Sequence, residues 1–144
     1  MTGPGDGVAI VGSTDAALDV VSIQETGNIG LRIEQAPNIS RAPASATLKQ
    51  SIVDQATGVG VYIAGARVEI IDSTVRNSRL RHEAEAVGVS IHPAGWFGPD
   101  DDPTANTRAV VTIRKSVITG HSESAVRAAG ARVTIENSLL GAES

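Results

Sequence analysis

The sequence contains no cysteine and only three aromatic residues among its 144 positions. The absence of cysteine excludes disulfide bonds and metal sites built on thiolates. Because 41% of the chain is nevertheless hydrophobic, the interior must be built from aliphatic side chains. Such side chains suit a narrow core in which like residues stack, and each fully buried one contributes about 1.5–3 kcal/mol.

Long apolar runs and an excess of positive charge are also missing. No run approaches the roughly 18 residues of a membrane-spanning helix, and the N-terminus lacks the basic and apolar stretches of a signal peptide. The net charge of −4 argues against a nucleic-acid partner, because phosphate contacts require clustered Lys and Arg. We therefore expect no membrane span, no signal peptide and no nucleic acid, and the compartment stays open.

What the sequence does contain is an internal repeat. Each copy holds two apolar residues at alternate positions, then a polar residue, a serine and another apolar residue, which is typical of strand, tight turn and strand. The four serines are 22, 43 and 22 residues apart, so the middle interval is one 22-residue period with an insertion. The copies are residues 44–53 (ASATLKQSIV), 66–75 (ARVEIIDSTV), 109–118 (AVVTIRKSVI) and 131–140 (ARVTIENSLL).

Another strand is predicted before each copy, because apolar residues again alternate there, for example at Leu31 and Ile33. Each unit therefore has three strands joined by short turns, and we expect the fifteen glycines to serve those turns. The same 22-residue spacing, counted back from Leu31, places Ala9 and Val11 at the inward positions of a first unit. The corresponding inward positions further along that unit are Ala16, Leu18 and Ile23.

Units of this kind cannot bury their own apolar side chains, so they become stable by stacking, each strand pairing in parallel with its counterparts above and below. The β-branched residues at the inward positions disfavour helix. The scarcity of Leu disfavours a leucine-rich repeat, and a period that is not a multiple of six disfavours a left-handed hexapeptide helix. We predict an all-β domain at 8–144, with about five coils of three strands each, after a flexible tail at 1–7.

These repeats resemble the right-handed parallel β-helix proteins of the pectate-lyase-like superfamily across essentially the whole chain. The resemblance is to the fold, a single-stranded right-handed parallel β-helix, and not to a catalytic motif. It implies an extracellular or cell-surface location. It also points to polysaccharide as a ligand, since long turns commonly flank the first strand in the members that act on polysaccharide.

Three insertions interrupt the period, and they predict long turns at 34–44, 79–85 and 92–108 beside the first strand. On that strand the residues between the inward pairs are expected to face solvent in a row, about 4.8 Å apart, as the floor of a cleft centred on Tyr62 and Ser90. The alternative is that the row is merely solvated and the insertions are neutral. The row comprises Ile10, Arg32, Tyr62, Ser90 and Arg127, and the candidate binding residues are Arg32, Tyr62, Ser90, His92, Trp96 and Arg127.

The longest predicted turn contains Trp96 and three consecutive carboxylates. Trp96 either stacks on a sugar ring or anchors its own loop, and we favour the anchor. Asp100, Asp101 and Asp102 offer the oxygen ligands that calcium prefers, but runs of carboxylates are usually solvated. We therefore predict no cofactor and no metal site, with Ca²⁺ as a weak candidate.

The repeat serines (Ser51, Ser73, Ser116 and Ser138) are interpreted as turn-forming residues, because Ser side chains bond to backbone groups that a tight bend leaves unpaired. No catalytic residue can be assigned. Three hypotheses stay open. The first is a noncatalytic repeat module, structural or in contact with saccharide, that is part of a larger repeat protein. The second is a polysaccharide lyase or glycoside hydrolase using the cleft at Tyr62, Ser90 and His92, and the third is a self-associating structural subunit. Because both coil ends lack a cap, we also expect a homo-oligomer joined end to end.

Overall fold

The computed structural model describes residues 7–12, 15–34, 44–78, 87–92, 109–121 and 124–142, which form fifteen strands and no helix. A helix able to cross a membrane is accordingly not found within these ranges. The strands are β1 (Val8–Val11), β2 (Ala16–Asp19), β3 (Ser22–Gln24), β4 (Ile29–Glu34), β5 (Ser45–Lys49), β6 (Ile52–Asp54), β7 (Val59–Ala64), β8 (Arg67–Ile71), β9 (Thr74–Arg76), β10 (Val87–His92), β11 (Ala109–Arg114), β12 (Val117–His121), β13 (Ser124–Ala128), β14 (Ala131–Glu136) and β15 (Leu139–Ala142).

These strands form three parallel sheets of five. The first sheet has the order β1-β4-β7-β10-β13, the second β2-β5-β8-β11-β14 and the third β3-β6-β9-β12-β15. Each successive set of three strands is one coil, so coil one is β1 to β3 and coil five is β13 to β15. The predicted all-β parallel β-helix, with three strands per coil and about five coils, is confirmed.

The core consists of aliphatic columns that run along the stack. In the second sheet the register joins Leu18, Leu48, Ile70, Ile113 and Ile135 into one column, as the spacing predicts. Its middle members, Leu48, Ile70 and Ile113, are at most 1% exposed. Inward residues of all three sheets belong to a single buried cluster.

The first strand of coil one does not follow the predicted register. Val8 pairs with Leu31 and Ile10 with Ile33, so Val8 and Ile10 pack against the core while Ala9 and Val11 are exposed. The prediction of inward Ala9 and Val11 is therefore wrong. All four residues of this strand are apolar, so hydrophobicity could not fix its orientation. Of the predicted tail 1–7 the structure describes Gly7, whose N–H donates to the Ile29 carbonyl at 2.9 Å.

The turn between the second and third sheets is closed by a ladder of serines, which confirms their structural interpretation. Each serine Oγ donates to the carbonyl two residues earlier, at 2.8–2.9 Å. The same Oγ accepts the N–H of the equivalent residue in the preceding coil, at 3.0–3.2 Å. Coil one supplies only the donor, because Val21 stands in the serine position. The residues before the serines, Gln50, Asp72, Lys115 and Asn137, have φ between 48° and 51°.

Some glycines lie in turns as expected, for example Gly65 with φ of 63°, but others form a column inside the strands of the first sheet. A Cβ on Gly30 would lie 2.5 Å from Val53 Cγ1 and 2.6 Å from the Gly60 oxygen, and one on Gly60 would lie 2.7 Å from the Gly88 oxygen. These positions therefore exclude any side chain, since real Cβ atoms do not approach backbone so closely. The missing side chains let the first sheet approach the third.

Candidate functional site

The predicted row lies on the outer face of the first sheet. The register pairs Arg32 with Tyr62, Tyr62 with Ser90 and Ser90 with Arg127, so these four candidates occupy neighbouring coils. We call them the outer row. Ala9, and not Ile10, pairs with Arg32, which corrects the first member. The next outward positions hold Glu34, Ala64 and His92, which are also in register.

Side chains of these two rows contact one another in a continuous chain. The guanidinium carbon of Arg32 lies 5.9 Å from the centre of the Tyr62 ring, and the Tyr62 and His92 rings are 5.4 Å apart with a 34° tilt. His92 Nε2 is in turn 2.7 Å from Ser90 Oγ. At the other end, Arg32 Nη1 lies 3.6 Å from Glu34 Oε1. The structure therefore brings together four of the six candidate binding residues, Arg32, Tyr62, Ser90 and His92.

The centre of the outer row is not the open floor that we predicted. Tyr62 is 5% exposed, Ser90 4% and His92 8%. Tyr62 is buried with Ile29 and Ala64 in a second apolar cluster, separate from the main core, and Val59 packs against it. Arg32 and Arg127 are only half-buried, so solvent reaches the two ends of the row more than its middle.

Burial sets the protonation of the two rings at this centre. Burial, and to a smaller extent the nearby Glu34 carboxylate, raises the pKa of Tyr62 to about 12, although Arg32 acts in the opposite direction. Burial lowers the pKa of His92 below its usual 6.5, because a charged imidazolium is poorly solvated there. At neutral pH both rings are uncharged. A neutral imidazole bonded to a serine hydroxyl is an arrangement that can activate a nucleophile.

The other candidates lie outside the described residues. These are Trp96, Asp100, Asp101 and Asp102, together with nearly all of the predicted long turns, of which only Glu34, Ala44 and His92 are described. Within the described ranges, no group of three or more His, Asp or Glu residues could hold a metal ion.

A depression on the outer face of the second sheet was missed by the sequence analysis. It has a volume of about 260 Å³, and its lining includes Ser45, Thr47, Arg67, Glu69 and Thr112. At its edge the N–H of Asp15 donates to Ser45 Oγ at 2.7 Å. The signal was available in the sequence, because polar residues occupy the outward positions of successive repeat copies. The predicted insertions, in contrast, flank the first sheet.

The fold and the outer row define a class of protein, a parallel β-helix of three strands per coil with a connected group of polar and aromatic side chains on one outer face. In comparisons with protein-family models, curated proteins and solved structures, the chain matched none of them. Membership of the pectate-lyase-like superfamily therefore stays a prediction.

Proposed function

We propose that the chain is a noncatalytic β-helix module that contacts acidic polysaccharide through the outer face of its first sheet. The observation that carries the proposal is the outer row itself, with Arg32 and Arg127 at its ends on coils two and five. They are three strands apart, roughly 14 Å at the usual strand spacing. Guanidinium groups bind carboxylates with two parallel hydrogen bonds, so the pair suits an extended chain with separated carboxylates.

A noncatalytic use is favoured by the state of the central residues. Tyr62, Ser90 and His92 are buried and contact one another. General acid–base catalysis requires a group within hydrogen-bond reach of the substrate. Arg32 and Arg127, at the ends of the row, are half-buried and reach solvent more readily than this centre. A carboxylate that binds Arg32 would share the guanidinium with Glu34.

Polysaccharide cleavage is the second candidate, and the 2.7 Å contact between Ser90 Oγ and His92 Nε2 favours it. A neutral His92 could take the proton from the carbon next to a carboxylate held by arginine. The glycosidic C–O bond at the adjacent carbon would then break, leaving a carbon–carbon double bond and releasing the other part of the chain, which is the β-elimination of a lyase. A glycoside hydrolase commonly uses two carboxylates. The described strands of the first sheet contain one carboxylate residue, Glu34, so a lyase fits better than a hydrolase.

The binding test uses a panel of acidic glycans (polygalacturonate and alginate) and neutral glycans (dextran and xylan), with affinities measured by calorimetry. We expect binding to acidic members only, and a Kd about 10-fold higher for Arg127→Ala, since a hydrogen bond to a charged group contributes about 1.5–3 kcal/mol. Arg114→Ala is the matched control, because it removes the same charge from the outer face of the second sheet. Equal weakening by both variants, or no binding to any glycan, contradicts the proposal.

Turnover separates the two candidates on the same panel. A lyase product carries a carbon–carbon double bond and absorbs in the ultraviolet, so its appearance can be followed directly. The noncatalytic module gives no such signal. If absorbance rises and His92→Ala abolishes the rise while binding persists, the enzyme is the correct description.

A further inference from the structure

The outer edge of coil five exposes apolar side chains. None of the described strands pairs with the far side of β13, β14 or β15. Ile135 and Leu140 are 40% and 38% exposed, whereas Ile113 and Ile118, their counterparts one coil earlier, are fully buried. Unpaired strand edges with apolar neighbours are pairing sites, and the chemistry of this edge indicates which partner it accepts.

A sixth coil stacked in the same direction does not fit this edge. In the glycine column a Cβ on each coil would lie 2.5–2.7 Å from the carbonyl oxygen of the next coil, as at Gly7, Gly30 and Gly60. The register of β10 with β13 places Ala125 opposite Gly88. Ala125 in coil five therefore has a Cβ where the earlier coils have none. The carbonyl oxygen of a parallel sixth coil would overlap with that methyl group.

Head-to-tail stacking of two copies has two further mismatches. The Ser138 N–H would face position 21 of the next copy, where Val21 offers no hydroxyl oxygen in place of the serine that accepts elsewhere in the ladder. Along the outer face of the second sheet, Asp19 pairs with Lys49 and Arg114 with Glu136. Stacking would place Glu136 beside Asp19, and like charges directly opposite are destabilising.

The same edge is complementary to itself when the strands run antiparallel. We propose that β14 pairs antiparallel with β14 of a second copy across a two-fold axis at Thr134. This register places Arg132 opposite Glu136 of the partner subunit, twice by symmetry. It also places Val133 opposite Ile135 of the partner subunit on the inward side. An isologous contact of this kind closes on itself.

The backbone of β14 has its free groups in the positions that this register needs. The Glu136 carbonyl accepts the Lys115 N–H from coil four at 3.1 Å, so the backbone N–H and C=O of Glu136 point towards coil four. These groups alternate in direction along a strand, so the N–H and C=O of Val133 and Ile135 point away from coil four. Val133 and Ile135 of the two copies therefore face each other across the axis. The same rotation brings β13 of one copy to β15 of the other.

Sedimentation equilibrium of the full chain tests the register by charge reversal. Arg132→Glu should raise the dimer Kd about 10-fold or more, because two attractive pairs become repulsive. Glu136→Arg should do the same, and the double variant Arg132→Glu/Glu136→Arg should restore the parent Kd. The matched control is Arg67→Glu, which makes the same charge change two coils away in the same outward column and should leave the Kd unchanged.

Circular dichroism shows whether each variant is folded, and the rescue by the double variant cannot be produced by misfolding. A parent chain that stays monomeric at tens of micromolar overturns the proposal. Species that lengthen with concentration would show head-to-tail stacking and overturn it too. If the double variant stays as weak as the single ones, Arg132 and Glu136 do not face each other and the register is wrong.

Discussion

The turn between the second and third sheets and the outer face of the first sheet bury polar groups in different ways. In the turn, each serine bonds to backbone atoms of its own coil and of the preceding one. On the first sheet, Tyr62, Ser90 and His92 contact one another through their side chains. Backbone atoms recur at the same place in every coil, so the hydrogen bonds of the serines can be repeated from coil to coil. Contacts between unlike side chains occur once, so they mark what is particular to this chain.

The largest expected effect comes from breaking a repeated column at its middle. Ile113 is fully buried, and Ile113→Asp would place an unpaired carboxylate in an aliphatic core, at a cost of at least about 4 kcal/mol. Chemical denaturation measures the change. Thr112→Asp is the control, because the neighbouring residue points outwards and should cost far less. If both variants unfold like the parent, the inward assignment is wrong.

A smaller but clear effect is expected at the glycine column. In Gly60→Ala the new Cβ would lie 2.5 Å from Val75 Cγ1 and 2.7 Å from the Gly88 oxygen, and relieving this overlap should cost about 3 kcal/mol. At Gly141 the nearest atom to an added Cβ is Thr119 Cγ2, at 3.7 Å, so Gly141→Ala should be neutral. Similar unfolding free energies for the two variants would show that the sheets are not in close contact at Gly60.

The stability that each serine of the ladder contributes should be larger in the middle of the stack than in coil five. Ser73→Ala removes the oxygen that accepts the Ser51 N–H at 3.2 Å in a buried site, and an unsatisfied buried donor costs about 2 kcal/mol. Ser138→Ala removes the equivalent bond to Ser116 in the more exposed coil five, where water can replace it, and should cost under about 1 kcal/mol. Chemical denaturation of the two variants measures the difference, and equal losses of unfolding free energy at Ser73 and Ser138 would contradict it.

The repeated parts of the fold could be predicted from the sequence because one register fixes every coil. The spacing of the serines placed Leu48, Ile70 and Ile113 in one column, and the structure agrees. Coil one was misplaced because its first strand, VAIV, offers apolar residues to both faces. The glycine column was visible in the spacing, since Gly30, Gly60 and Gly88 each precede an inward residue, but nothing in composition separates a glycine needed for space from one needed for a turn.

The order of the side chains along the outer row could be predicted from the sequence, but their burial and their contacts could not. Lateral neighbours such as Tyr62 and Ser90 follow from the register. The burial of Tyr62 does not follow, because it depends on a contact with Ile29 from another coil, outside the periodic pattern. The hydrogen bond between Ser90 and His92 requires two outward residues of one strand to turn towards each other, and alternation alone says only that they share a face.

The smallest expected effect is the pH dependence of stability that comes from His92, on the outer face of the first sheet, where the contacts are not repeated from coil to coil. Its pKa in the folded protein is below the value of 6.5 that we take for the unfolded chain. Between these two values the unfolded state binds a proton that the folded state does not. The stability that the neutral His92 contributes is therefore fully present above pH 6.5 and is lost as the pH falls towards the pKa of the folded protein. Over this range the free energy of unfolding falls by at most about 1.4 kcal/mol per pH unit. His92→Gln keeps an amide within reach of Ser90 and removes the titration, so the parent should lose more stability than this variant between pH 7 and pH 5.

Titration of the His92 ring followed by NMR gives the folded pKa directly, and a value at or above 6.5 would mean that the imidazole is not held neutral by burial.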